Sequence, residues 1–149
     1  RSGFPVVTLG HVPNEDPYRV VSENVAGMRS ATEHLLDMGH ERIAHLTFSP
    51  RGFTGTDERL EGYRSALTSA GIAVDEALVE ETGYSAASGA DAMRRLLART
   101  RAFTAVTCGN DTVAIGAWLR CVRRTCASRR TCRSSGSTTC RSQRFCTRP

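Results

Sequence analysis

The sequence predicts an α/β domain in which a parallel sheet is covered by flanking helices. Three observations predict it. Up to about residue 120, short apolar runs alternate with amphipathic segments of helical period. Gly39 and Gly71 close two of those segments, where helices are expected to stop. A chain of 149 residues with 40% hydrophobic content is enough for one core of ordinary size.

Taken in order, residues 4–9 (Phe-Pro-Val-Val-Thr-Leu) read as a first strand. A helix is expected over 24–38, with Val25, Met28, Ala31, Leu35 and Met38 on one face and Gly39 as its stop. Residues 42–48 form a second strand. The next helix, over 56–70, begins with Thr56 as its cap and Asp57 and Glu58 in the first turn, where negative charge suits the helix dipole. Its apolar face is Leu60, Tyr63, Leu67 and Ala70. Residues 78–83 are a third strand, 85–98 a helix with Met93, Leu96 and Leu97 inward, and 103–108 a fourth strand. Asn110 then caps a last helix running through Val113, Ala117 and Leu119. After Arg120 both periodicities stop.

Charge divides the chain at the same place. The net charge of +5 conceals a body, residues 1–120, that holds all 15 acidic residues and 12 of the 20 arginines. The remaining 8 arginines lie in 121–149, which has no acid at all. The body therefore has no basic patch with which to hold nucleic acid, despite the high pI. Every basic residue is Arg and none is Lys, the bias of a GC-rich gene. Five of the six cysteines (Cys121, Cys126, Cys132, Cys140, Cys146) fall in the tail without a Cys-x-x-Cys spacing and without a histidine among them. A zinc site or a secreted disulfide framework is not expected from that arrangement. No apolar run reaches the ~20 residues of a membrane span and no signal segment opens the chain, which starts at Arg1. Rich in Arg, Ser, Thr and Cys, the tail is expected to be disordered or poorly packed.

In an open parallel sheet, ligands sit beyond the carboxyl ends of the strands. Those positions hold the loop 49–55 with Arg59 just inside the next helix, Tyr84 after the third strand, and Asn110 and Asp111 after the fourth. An Asn and an Asp can pair with adjacent hydroxyls, Arg supplies a planar fork of donors, and a Tyr ring covers an apolar ring face. That set suits a small polyhydroxylated ligand. Each residue also has a plainer reading: Asn110 as a helix cap, Arg59 as an ion-pair partner of Glu58 or Glu61, Tyr84 as an aromatic at the edge of the core. Convergence on one edge is what favours binding. The histidines His11, His34, His40 and His45 show no metal spacing and read as structural or exposed. Neither a Gly-x-Ser-x-Gly elbow, a phosphate loop nor a Gly-x-Gly-x-x-Gly turn is found, so neither an enzyme nor a bound cofactor is expected.

The same residues resemble a known family. Gly3-Phe4-Pro5-Val6-Val7, Glu23-Asn24 with Gly27, Ala31, His34-Leu35, and Gly39-His40-Glu41-Arg42-Ile43-Ala44 are similar in order and spacing to sensor domains of LacI/GalR-type bacterial transcription regulators. So are Arg59-Leu60-Glu61-Gly62-Tyr63, Ser88-Gly89 after Tyr84, Thr104-Ala105-Val106, and Asn110-Asp111 with Ala114, Gly116 and Ala117. The resemblance implies part of a two-lobed sensor of the periplasmic-binding-protein type, with 1–40 in one lobe and 41–120 in the other. It also implies an effector such as a sugar between the lobes, held by Arg59, Tyr84, Asn110 and Asp111. Further implications are a cytoplasmic homodimer in the full-length protein, and operator DNA read only by an N-terminal head that is missing here. A solute-binding protein of the same fold, serving transport or chemotaxis, is the alternative, and an α/β enzyme a distant third.

The tail departs from the family, whose pattern continues Val-Pro-Glu-Asp…Gly-Phe-Asp-Asp. If Ser135-Gly136-Ser137-Thr138-Thr139 is encoded TCG GGT TCG ACG ACC, reading from the third nucleotide gives Gly-Phe-Asp-Asp. The expectation is a change of reading frame near residues 120–125, which the codons of the gene decide. It leaves the second lobe with an unpaired sheet edge and an incomplete pocket, and hence weak stability and poor effector affinity.

Overall fold

A computed structural model describes residues 5–10 and 18–131. The chain runs β1 (Thr8–Leu9), β2 (Arg19–Val20), α1 (Asn24–Asp37), β3 (Ile43–Leu46), α2 (Thr54–Ser69), a single 3-10 turn (Glu76–Leu78), β4 (Val79–Glu80), α3 (Ala86–Arg99), β5 (Ala105–Cys108) and α4 (Asp111–Thr131). Strands β1 and β2 pair in parallel as a small sheet of their own, while a second parallel sheet has the order β4-β3-β5. This is the expected α/β architecture. The strands are shorter than the apolar runs that announce them, and β2 was not anticipated.

Side chains of a strand alternate between faces, and β3 divides the core accordingly. Ile43 joins Met28, Leu60, Tyr63, Leu67, Val79 and Ala105 beneath α1 and α2. Ala44 and Leu46 join Phe48, Leu78, Met93, Leu96, Phe103, Val113 and Ala117 beneath α3 and α4. The two helix pairs are held close by glycines. A Cβ on Gly62 would run into the Val25 carbonyl of α1, and one on Gly116 into the Ala86 carbonyl of α3. Both α1 and α2 end as expected, with Gly39 (φ +86) and Gly71 (φ +73) in the left-handed region that only glycine enters freely.

The edge strand β4 is closed by arginines. Arg99 donates to the carbonyls of Ala77 and Val79, Arg95 to that of Glu81, and both also grip the buried Glu80 carboxylate. Outward carbonyls that would otherwise invite another strand are thereby occupied.

Several expectations are corrected. Helix α1 buries Met28 and Thr32 rather than the Ala31 and Met38 face, and Met38 is exposed. The buried Thr32 is tolerable because its hydroxyl donates to the Met28 carbonyl at 2.9 Å. Helix α2 starts at Thr54, not at Thr56, and Thr56 is buried instead of capping; Asp57 reaches back to the Gly52 amide. Ala70 is exposed rather than part of the α2 face. Ser85 caps α3 through a reciprocal bond with Ser88. Helix α4 continues past residue 121 to Thr131, and Cys121 packs against the core. No Pro interrupts 111–131 and Gly116 is its only glycine, so nothing local stops the helix where its apolar pattern fades. The rest of the tail, 132–149, lies outside the described residues, as does His11. Residues of α1 share a core with β3 and α2.

Candidate functional site

Parallel pairing puts the ends of three strands side by side. Leu46 is opposite both Glu80 and Cys108, so the segments that follow, 47–49, 81–84 and 109–111, share one edge of the sheet. Hydroxyls tie the first two together. Thr47 Oγ1 donates to the Ser49 carbonyl (2.9 Å) and accepts from the Thr82 amide (3.0 Å), while Thr82 Oγ1 donates to the Thr47 carbonyl (2.8 Å).

Arg59, in the second turn of α2, spans this edge. Its Nε donates to Asn24 Oδ1 at the start of α1 (2.9 Å), its Nη1 to the Gly109 carbonyl after β5, and its guanidinium carbon lies 4.5 Å from the Phe48 ring centroid. Asn24 is fixed in turn by donating to Glu58 at 2.7 Å. Tyr84 also packs against Phe48, with 5.1 Å between ring centroids and 86° between ring planes, and 63% of its surface is exposed. Asn110 follows the carbonyl that Arg59 holds. Its Oδ1 accepts from the Val113 amide at 2.8 Å, so it does cap α4, leaving its amide NH2 to donate elsewhere. Asp111 is exposed in the first turn of α4.

Of the four residues chosen from sequence, Arg59 and Tyr84 meet through Phe48, and Asn110 joins them through Gly109. Asp111 shares the edge by position alone. Sequence reasoning missed Phe48, Phe53 and the site role of Asn24. Phe48 was read as the last residue of a strand, and Asn24 as a motif and helix-start residue. A cleft of about 290 Å³ opens between the start of α1 and this edge, lined by Ser22, Glu23, Asn24, Gly27, Met28, Arg59 and Gly109.

Behind the edge, His45 is fully buried in the middle of β3, stacked on Tyr63 with 5.1 Å between ring centroids. Thr107 Oγ1 lies within hydrogen-bond distance of both His45 Nδ1 (3.0 Å) and the Ala44 carbonyl (3.2 Å). His45 Nε2 has no hydrogen-bond partner among the described residues. Burial first, then the charges of Arg59 and Arg64, push its pKa from 6.5 to about 4. Burial likewise pushes the Cys108 thiol up to about 12, with Cys121 adding to the shift, so it is a packing group rather than a nucleophile. Among the described residues, no group of three or more His, Cys, Asp or Glu could hold a metal ion. None of their helices is long and apolar enough to cross a membrane.

The chain is thus a parallel α/β domain with polar side chains and aromatic rings gathered at one edge of its sheet. Residues 1–128 match the family described as periplasmic binding proteins and sugar binding domain of LacI family, and the chain belongs to that family. It is 39% identical over 125 residues to the HTH-type transcriptional regulator CelR of Thermobifida fusca, a match covering 82% of this chain and 36% of the relative. Among solved structures, it superposes on a transcriptional regulator CelR–cellobiose complex with a TM-score of 0.70 at 38% identity, covering 83% of this chain and 38% of that one. A LacI-family regulator from Enterococcus faecium with bound ribose gives a TM-score of 0.71 at 27% identity, covering 81% and 45%. The chain thus spans about a third of the length of the curated relative and under half of the solved chains.

Proposed function

We propose that this chain is part of the effector-sensing domain of a cytoplasmic bacterial transcription regulator, and that its effector is a sugar or a similar polyhydroxylated molecule. The observation that carries the reading is the meeting of Arg59, Phe48, Tyr84 and the Gly109-Asn110 turn at one sheet edge. Arg59 has five N–H donors, and the bonds to Asn24 and Gly109 leave others for ligand hydroxyls. The Asn110 amide and the Asp111 carboxylate supply a donor and an acceptor beside it. Tyr84 covers a C–H face of the ring. Relatives whose names and titles describe transcriptional regulators, one with cellobiose and one with ribose, favour this reading over a transport protein of the same fold. Binding is the whole activity proposed; no catalytic step is assigned.

Because α1 packs with α2, the lobe boundary is proposed at 21–23 rather than at residue 40. Asn24 then joins the crossover between lobes directly to Arg59, so a ligand that draws Arg59 toward it pulls on the crossover. Operator DNA would be contacted through a separate head, and effector binding would bias its grip through the relative position of the lobes.

A homodimer is also proposed. Ile115, Trp118, Leu119 and Val122 are exposed at helical spacing on α4, on the side away from its buried Val113 and Ala117. A two-fold partner presenting the same stripe would cover it. Sedimentation velocity is expected to show concentration-dependent association of the chain that Trp118→Glu abolishes; a monomer at every concentration removes the proposal.

The sensing function itself is tested by thermal melting with cellobiose and with ribose, since a ligand that binds only the folded state raises the midpoint. A rise with either sugar is expected, and no shift with any of a panel of sugars and polyols at tens of millimolar would refute the reading.

A further inference from the structure

Helix α4 changes character along its length. Its exposed apolar stripe, Ile115, Trp118, Leu119 and Val122, ends where a run of arginine begins. Arg123, Arg124, Arg129 and Arg130 fall within the helix, and Arg133, Arg141, Arg144 and Arg148 follow it in sequence. After Asp111 the chain has no further acidic residue, so these arginines have no neighbouring carboxylate in sequence to neutralise them.

Much of the negative charge of the body is already engaged. Arg29 takes Glu33, Arg42 takes Asp75, Arg51 and Arg64 share Glu76, Arg51 also reaches Glu81, and Arg95 and Arg99 hold Glu80. Positive charge gathers where the run starts. Arg120 and the Arg94–Asp91 pair line a cleft of about 360 Å³ between α3 and α4, together with Ala86 and Ala87 from the first turn of α3, the positive end of its dipole. Arg120 Nε is buried and has no hydrogen-bond partner among the described residues.

The chemistry of the occupant follows from the residue types. Every cation of the run is a guanidinium, a planar fork that matches two phosphate oxygens, and the serines and threonines between them add hydroxyl donors suited to a phosphate backbone. A membrane surface would call for apolar side chains to sink beneath its headgroups, and from 123 to 149 the only large apolar residue is Phe145. We propose that α4 beyond Val122 and the segment after it form a sequence-independent contact for the phosphate backbone of nucleic acid, separate from any operator-reading head. The contact is independent of the sugar-sensing function.

The test is fluorescence anisotropy of two unrelated DNA duplexes of about 20 base pairs, titrated with the full chain, thiols kept reduced, from about 50 to about 200 mM salt. Both duplexes are expected to bind alike, with affinity falling about a hundredfold or more across that range, as neutralising about four or more phosphates requires. Arg123→Gln, Arg124→Gln, Arg129→Gln and Arg130→Gln combined are expected to weaken binding at least about tenfold at the lower salt and to flatten its salt dependence. Arg133→Gln, Arg141→Gln, Arg144→Gln and Arg148→Gln combined leave α4 untouched and are also expected to weaken binding, whereas Arg19→Gln with Arg101→Gln in the body is expected to stay within about twofold of the parent. No binding at the lowest salt, equal affinity in the parent and both fourfold variants, a preference above about tenfold for one duplex sequence, or binding to phosphatidylglycerol vesicles in place of the duplexes would overturn the proposal.

Discussion

Replacing Arg59 by alanine is expected to cost at least about 3 kcal/mol of sugar-binding free energy, more than a hundredfold in affinity, because two or more charge-assisted hydrogen bonds to ligand hydroxyls disappear together. Arg59 also joins Asn24, Gly109 and the Phe48 ring, so part of the loss would come from a loosened edge. Arg59→Lys separates the two contributions. Lysine keeps the charge and can reach one partner, but it lacks the planar fork that serves Asn24, Gly109 and a hydroxyl at once. Lysine is therefore expected to leave the melting midpoint within a few degrees of the parent while lowering affinity by about tenfold or more. Titration calorimetry or NMR with cellobiose checks both variants. Equal affinity in the lysine variant and the parent would mean that the guanidinium is a strut and not a ligand contact.

The second large effect concerns acid. His45 has a folded pKa of about 4 against 6.5 when free, so between those values the unfolded chain binds a proton that the folded chain refuses. Stability is therefore complete above about pH 6.5, falls as pH drops through the interval, and levels off below about 4 with a loss of roughly 3 kcal/mol. The groups that face the ring are Tyr63, Thr107 and the positive charges of Arg59 and Arg64, none of which can accept a proton from an imidazolium at these pH values. Chemical denaturation at pH 7.0, 6.0 and 5.0 should show the decline, before carboxylates begin to titrate. His45→Phe keeps a ring on Tyr63 and removes the unpartnered Nε2, and the variant is expected to lose most of the slope in that window. An unchanged slope would place the acid sensitivity elsewhere.

What could be read from residues alone divides by physical cause. Alternating apolar runs and helix-stopping glycines located β3, α1, α2, α3 and β5 to within a few residues, because burial and chirality act locally through Gly39, Gly71, Met93 and Leu96. Periodicity cannot weigh one apolar position against a neighbouring polar one that bonds to its own helix, and so the inner face of α1 passed from Ala31 to Thr32. Nor does it reveal a two-residue strand such as β2, whose only support is pairing with β1. Helix α4 outran its expected end because an arginine-rich segment has no residue that forbids helix.

At the candidate site, the rule that ligands lie beyond strand ends points to Arg59, Tyr84 and Asn110, which parallel pairing brings to one edge of the sheet. It could not see Phe48, two residues past β3, whose importance depends on the tertiary packing that brings Arg59, Tyr84 and Phe53 to its ring. Asn24 is 35 positions from Arg59 in sequence, and only the packing of α1 on α2 brings them to hydrogen-bond distance. Contacts of that kind come from tertiary structure, which has no short-range signature.

The central claim is that three strand ends build one polyol-binding edge, and amide chemical-shift mapping during a cellobiose titration tests it most directly. The account predicts that perturbed amides cluster in 47–55, 83–85 and 109–112, together with the Arg59 side-chain Nε–H. Perturbations confined to any other surface, such as the outer faces of α2 or α4, would contradict it.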